Sequence, residues 1–252
     1  MSTTLNFKNI HKTFGPKHVL TGANLKVEKG TTHVVLGGSG SGKSVMLKCL
    51  LGLIPLDDGS ILVDGEDITL LKPKDQMQLM RKFGMLFQAG ALFDSMSVWE
   101  NVAFILLQDG MKPSEAKDRA VSKLAQVGLK ADVANQNPAE LSGGMRKRVA
   151  LARAVCHNPQ IILYDEPTTG LDPITSDVIN DLIIKLQNDL NATSLVITHD
   201  MHSAFKVADT MSFLYQGTFI AEGTPKEFKS STNPYVAQFV AGSSQGPIKV
   251  TV

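Results

Sequence analysis

Cysteine is scarce: Cys49 and Cys156 are the only two in 252 residues, and both fall inside helical patterns. That excludes a disulfide framework and a cysteine-based metal site, and reads as two buried small hydrophobes in a reducing compartment. Aromatic residues make up only 6%, with a single Trp, and neither sign of charge dominates, since 25 Lys+Arg stand against 24 Asp+Glu. With no basic excess, nothing global argues for nucleic acid. No apolar run reaches the roughly 18 residues that a membrane span needs. The start, Met-Ser-Thr-Thr-Leu-Asn-Phe-Lys, lacks the basic-then-apolar layout of a signal peptide. The expectation is a chain soluble by itself, which something else must hold if it works at a membrane. Internal repeats are absent. At 43% hydrophobic, the chain can bury a core in one large domain or in one domain with a subdomain.

What is present is organised around Val34–Ser44. A short apolar run leads into Gly37-Gly38-Ser39-Gly40-Ser41-Gly42-Lys43-Ser44, and Val45-Met46-Leu47-Lys48-Cys49-Leu50-Leu51 continues as a helix. The order strand, glycine loop, helix matches G-x-x-x-x-G-K-[ST], the phosphate-binding P-loop. Glycines let backbone N–H groups turn inward around an anion, and the helix start adds partial positive charge. Lys43 is placed to neutralise β- and γ-phosphates, and the Ser44 hydroxyl to ligate Mg²⁺.

Before this loop, Leu5–Ile10, Val19-Leu20 and Asn24–Val27 read as strands, with Phe14 beside the turn Gly15-Pro16. Phe14 is either a core residue or a flat platform for an adenine ring. After it come a strand at Ile61–Val63, a hairpin-type turn at Asp64-Gly65, a helix at 74–82, and an apolar strand at Phe83–Phe87 that ends in Gln88. Gln88 matters only if its carbonyl oxygen reaches the Mg²⁺. Helical patterns at Val98–Leu107 and Pro113–Val127 interrupt the β-rich pattern and read as an inserted subdomain. Ser142-Gly143-Gly144 then opens a second helix, with Ser142 as N-cap and Met145, Val149, Ala152 and Cys156 on one face. This is another helix tip built to face an anion. The basic residues Arg146, Lys147, Arg148 and Arg153 on it read as a local helical cluster, not a nucleic-acid patch. Ile161–Tyr164 is a buried strand ending in Asp165-Glu166, the Walker B pattern of a P-loop protein. There Asp165 holds Mg²⁺ or its waters, and Glu166 orients and deprotonates the attacking water. His199 follows the strand Ser194–Thr198, in position to donate to a γ-phosphate. A hairpin around Gln216-Gly217, a short helix at Tyr235–Val240 and a loop-like tail close the chain.

These motifs, in this order, resemble the ATPase subunits of ABC transporters from about Leu5 to Val240. Leu141-Ser142-Gly143-Gly144 looks like the family's signature motif, Gln88 its Q-loop, Leu171-Asp172 its D-loop and His199 its H-loop. Phe14 stands where the family puts its adenine-stacking aromatic. One departure is Met145, where the family's signature ends in Gln. Leu-Ser-Gly-Gly-Met, the stretch Met85–Ala103 and Gln238–Gly242 resemble a narrower group: the ATPases of bacterial lipid transporters of the Mla type and their organellar relatives.

The resemblance implies an α/β P-loop NTPase with an antiparallel β-subdomain and an inserted helical subdomain. The ATPase domain would be 1–240, with 1–88 and 161–240 as the ATP-binding core, 89–160 as the helical subdomain, and 241–252 as a C-terminal tail; the stretch after Gly242 has no core of its own in the sequence, and from that it is expected to reach the partner ATPase. ATP would lie on Phe14 and on Gly37, Gly38, Ser39, Gly40, Ser41, Gly42, Lys43, Ser44 and Val45, with Mg²⁺ on Ser44, Gln88 and Asp165. Ser142, Gly143, Gly144 and Asp172 would cover ATP held by a second copy in a head-to-tail homodimer, and Glu166 and His199 would be catalytic. Leu92, Phe93 and Trp99 would either line a groove for a permease helix or fill the subdomain core. The implied function is ATP hydrolysis driving phospholipid transport between bacterial inner and outer membranes, at the cytoplasmic face of the inner membrane. Integral permease subunits, a small STAS-type accessory subunit and a periplasmic lipid-binding subunit would be partners; nucleic acid would not. The alternatives are an ABC system with another cargo and, less favoured, an ABC ATPase without a transporter.

Overall fold

The computed structural model describes residues 3–249; residues 1, 2 and 250–252, the ends of the expected domain and tail, lie outside it. The chain forms two compact units, one of residues 1–76 with 197–252 and one of residues 77–196. The expected division at 88 and 161 follows the motifs, whereas the second unit also takes in the strands on either side of the helical block. No helix among the described residues is long and apolar enough to cross a membrane.

In the first unit, β1 (Thr3–Phe14) and β2 (Lys17–Glu28) are 12-residue strands. Only the patches around Leu5–Ile10, Val19-Leu20 and Asn24–Val27 stand out in the sequence, because register shifts near Asn9 and Ala23 break the alternation. With β4 (Asp58–Val63) and β5 (Glu66–Asp67) they form an antiparallel sheet in the order β2-β1-β4-β5. β3 (Thr32–Leu36) is buried at every residue, as a strand covered on both faces must be. It pairs parallel with β9 (Thr210–Tyr215), which pairs antiparallel with β10 (Thr218–Gly223). His33, 1% exposed, ties β3 to β9 by side chain as well: Nδ1 lies 2.8 Å from Thr210 Oγ1 and Nε2 2.9 Å from Ser212 Oγ. Burial drives its pKa down to about 4.

Helix α1 (Lys43–Leu50) follows β3; α7 (Met201–Val207), α8 (Pro225–Lys229) and α9 (Pro234–Ala241) complete this unit. The tail is tied to its own chain. Gln238 Nε2 donates to Ser243 O (3.1 Å) and Ile248 O (3.0 Å), while Ile248 N–H donates to Gln238 Oε1 (2.7 Å).

In the second unit, β6 (Phe83–Leu86) pairs parallel with β7 (Ile161–Asp165), and β8 (Thr193–Thr198) begins there and ends in the first unit. Around them lie α2 (Pro73–Met80, which crosses the boundary), α3 (Val98–Gln108), α4 (Pro113–Gln126), α5 (Gly143–Val155) and α6 (Pro173–Leu190). The loop from Phe93 to Ser97 is organised by Asn101, fully buried on α3. Its Oδ1 accepts from Phe93 N–H (2.7 Å), and its Nδ2 lies within 3.1 Å of three carbonyls, those of Phe93, Met96 and Ser97. Both cysteines are buried and unpaired, each with its thiol pKa raised to about 11 by burial.

Candidate functional site

The residues predicted for nucleotide fall into two groups, one in each unit. In the first unit, the loop Gly37–Gly42 joins β3 to α1. Gly37 has no room for a side chain, since a Cβ would sit 2.5 Å from Leu214 O and 2.7 Å from Ser41 Oγ. Gly42 caps α1 at φ +109, and a Cβ there would meet Val19 O at 2.9 Å; only glycine takes that backbone comfortably. Gly38, Ser39 and Gly40 form the exposed tip, and Ser44 and Val45 open α1 half-exposed. No side chain caps this helix, and the first turn of such a helix suits an anion. Lys43 is 6% exposed, and its ammonium donates to the Gly37 and Gly38 carbonyls at 2.7 and 3.0 Å. Ser41 Oγ is buried without a hydrogen-bond partner, a further polar group on this loop.

Phe14 ends β1 with its ring 45% exposed and Lys12 Nζ 5.5 Å from the ring centroid. That is an exposed ring, not a core residue. His199 is exposed after β8. Its position is fixed by Asp200, whose carboxylate caps α7 by accepting from His202 N–H, Ser203 N–H and the Ser203 hydroxyl. That short helix was missed in the sequence, where His199-Asp200 reads only as a strand end.

In the second unit, β7 is buried from Ile161 to Tyr164 and Asp165 emerges half-exposed. Glu166 is 8% exposed and holds φ +48, a left-handed conformation costing a non-glycine on the order of 1–2 kcal/mol. Thr169 steadies it: the hydroxyl donates to Glu166 Oε2 (3.2 Å) and the N–H to Glu166 O (3.3 Å). Gln88 follows β6 with its side chain exposed, and its carbonyl accepts from Lys147.

Ser142 caps α5, its hydroxyl accepting from Met145 N–H at 3.3 Å. Asp172 caps α6, accepting from Ile174 N–H, Thr175 N–H and the Thr175 hydroxyl. These bonds, that of the Thr175 hydroxyl foremost, hold its carboxyl below the usual range. The two caps meet in one recess of about 430 Å³ lined by Ser142, Gly143, Gly144, Met145, Arg148, Gly170, Leu171, Asp172 and Thr175. A Cβ on Gly144 would strike Thr175 Cγ2 at 2.8 Å, so the glycine is what lets α5 and α6 come this close. Met145 is half-exposed on the recess wall, which differs from the expected stripe. Val149, Ala152 and Cys156 are buried as expected, and the buried face of α5 also includes Lys147, Ala150, Leu151 and Ala154.

Lys147 is the residue that sequence reasoning passed over. It is 6% exposed and donates to Gln88 O (2.5 Å) and Glu166 O (3.3 Å). Burial lowers its pKa, against the pull of Asp165 and Glu166. The available signal was its place three and four residues before Ala150 and Leu151, on the apolar stripe. Leu92, Phe93 and Trp99 are not core: Phe93 is 42% exposed and packs on Phe104 at 4.8 Å, while Leu92 and Trp99 are half-exposed.

The arrangement can hold an anion at two helix tips and presents a buried carboxylate at a strand end. The sequence profile of the ABC transporter family matches residues 20–169. The chain is 41% identical to a probable ribonucleotide transport ATP-binding protein, mkl, of Mycobacterium leprae, over 98% of this chain and 72% of that protein. It is 39% identical to the intermembrane phospholipid transport system ATP-binding protein MlaF of Haemophilus influenzae, over 97% of this chain and 93% of that protein. Among solved structures, it superposes on the ATP-binding cassette MJ0796, in a dimeric post-hydrolysis state bound to ADP and Pi. The TM-score is 0.81 at 32% identity, covering 88% of this chain and 98% of that one.

Proposed function

Because the chain belongs to the ABC transporter family, whose cassettes bind and hydrolyse ATP, we propose that it powers phospholipid transport as the ATPase of an Mla-type system. The observation that carries the catalytic part is Glu166, a carboxylate-bearing residue buried at the end of a buried strand and held in a left-handed turn. Glu166 takes a proton from water as the water oxygen attacks the γ-phosphorus; the bond to the bridging oxygen breaks, and its electron pair leaves with ADP. His199 donates to the γ-phosphate. Lys43 exchanges its loop carbonyls for phosphate oxygens. Phe14 stacks on adenine.

The donors proposed for Mg²⁺, the Ser44 hydroxyl, the Gln88 amide oxygen and the Asp165 carboxylate, are hard oxygens. No cluster of three or more His, Cys, Asp or Glu suited to a metal occurs among the described residues. One carboxylate with hydroxyl, amide and phosphate oxygens fits a Mg²⁺ that keeps several waters. When bound, the ion supplies charge neutralisation on the β- and γ-phosphates.

The recess that joins Ser142–Gly144 to Asp172 supports a head-to-tail homodimer in which these residues cover ATP held by the other copy, a reading in line with the dimeric state named for MJ0796. ATP then binds the copies together, and hydrolysis replaces one anion with two that repel. The exposed Phe93 and half-exposed Leu92 and Trp99 offer apolar surface to a permease helix. The complex would sit at the cytoplasmic face of the inner membrane, with a STAS-type accessory subunit and a periplasmic lipid-binding subunit. The phospholipid cargo rests on the name of the Haemophilus relative; the name of the Mycobacterium relative favours a second reading, ribonucleotide transport. Purifying the native complex in detergent and identifying its subunits and bound small molecules by mass spectrometry separates them. A copurifying permease with phospholipid is the expected result. A permease with bound nucleotide cargo and no lipid would overturn the lipid reading.

A further inference from the structure

Two basic residues of α5, Lys147 and Arg153, grip main chain well away from their own helix. Lys147 holds the carbonyls of Gln88 and Glu166. Less than two turns further along, Arg153 donates from Nη1 to Ala91 O and from Nη2 to Gly90 O, both at 2.6 Å, with its guanidinium 5.9 Å from the Phe93 ring. One helix thus holds segment 88–91 at both ends. Through Lys147 it also holds the backbone of the residue that carries the buried carboxylate.

Burying an ammonium is costly unless it is paired or fully hydrogen-bonded, and a methionine of similar length would fill the same space. Glu166 sits at φ +48, a conformation that persists only where its surroundings enforce it. In such a turn the direction of the carbonyl and that of the side chain are fixed together. We infer that Lys147 is a positioning residue that aims the Glu166 carboxylate and links that aim to segment 88–91, so that losing its grip lowers turnover without changing how ATP is held. The inference rests on the reading of Glu166 as the base.

The test compares Lys147→Met, which keeps length and loses the donors, with Lys147→Gln, which keeps an N–H donor without the charge, in the purified transporter complex. Lys147→Met should lower kcat about tenfold or more with KM for ATP within about twofold, and Lys147→Gln should recover at least about a third of the native kcat. Amide exchange should quicken over residues 86–92 and 165–170 in Lys147→Met, while residues 113–126 stay unchanged. Native kcat in Lys147→Met, equal loss in both variants, or KM rising in step with the loss would each overturn the link. If Lys147→Met does not fold, Lys147→Leu takes its place, with the same expected result and the same overturning results. Glu166→Gln is assayed in parallel. Native turnover there removes the base reading and this inference with it; an inactive Glu166→Gln beside a fully active Lys147→Met overturns the link only.

Discussion

Two lysines, each 6% exposed, do the same thing in different places: Lys43 and Lys147 both donate to two backbone carbonyls. The carbonyls that Lys43 holds are five and six residues away, on its own loop. Those that Lys147 holds are 19 and 59 residues away, on two different strand ends. The helix tips nearby differ as well. The tip at Gly42 has no side-chain cap, whereas the tip at Ser142 covers one N–H with its own hydroxyl. A short-range grip shapes a loop that binds, and a long-range grip joins elements that must act together. On this account, breaking the first changes ATP affinity and breaking the second changes turnover.

The largest effect is expected at the residue the long-range grip holds. Glu166→Gln should keep ATP binding and lower kcat by roughly two orders of magnitude or more, within the range for a general base; steady-state hydrolysis and nucleotide binding measured side by side check it. Lys43→Ala should weaken ATP binding about 10- to 100-fold, the loss of charge-assisted hydrogen bonds to phosphate, read by titration with a fluorescent ATP analogue.

A long-range grip without charge sharpens the comparison. His33 links β3 to β9 as a neutral ring. Its folded pKa of about 4 lies below the ordinary 6.5. The unfolded chain therefore takes up a proton first as pH falls, and stability that is complete above pH 6.5 is lost between there and about 4. Full loss amounts to roughly 3 kcal/mol, and urea unfolding at pH 7 and pH 4 should show that drop in the native chain and a smaller one in His33→Gln. Asn101→Ala leaves the loop at Phe93–Ser97 without its bonds and should cost about 1–3 kcal/mol, read as a lower Tm. Ser142→Ala removes a helix cap worth about 1 kcal/mol and should destabilise the monomer slightly while weakening ATP-dependent dimerisation.

The contrast between the lysines also explains what was legible in the sequence. The glycine loop could be read because its glycines and Lys43, which holds carbonyls five and six residues away, are close in sequence, whereas the backbone of Val19 and Leu214 that crowds Gly42 and Gly37 is not. The strands β3, β7 and β8 could be read because continuous apolar runs have few other uses. The helix α7 could not: it is seven residues long and defined by the Asp200 cap, too short for a periodic pattern. The full lengths of β1 and β2 were hidden by irregular register. Lys147 reads as one member of a local helical basic cluster because its partners are carbonyls, which every residue has and no sequence pattern marks. Asn101 was hidden for the same reason.

The claim that most depends on geometry between copies is that Ser142 of one copy closes over ATP held by Lys43 of the other. The direct measurement is a structure of Glu166→Gln with ATP and Mg²⁺. The account predicts a dimer with the Ser142 hydroxyl of each copy in hydrogen-bond contact with the γ-phosphate on the other. ATP bound on Lys43 with Ser142 remote from every phosphate of either copy would contradict it.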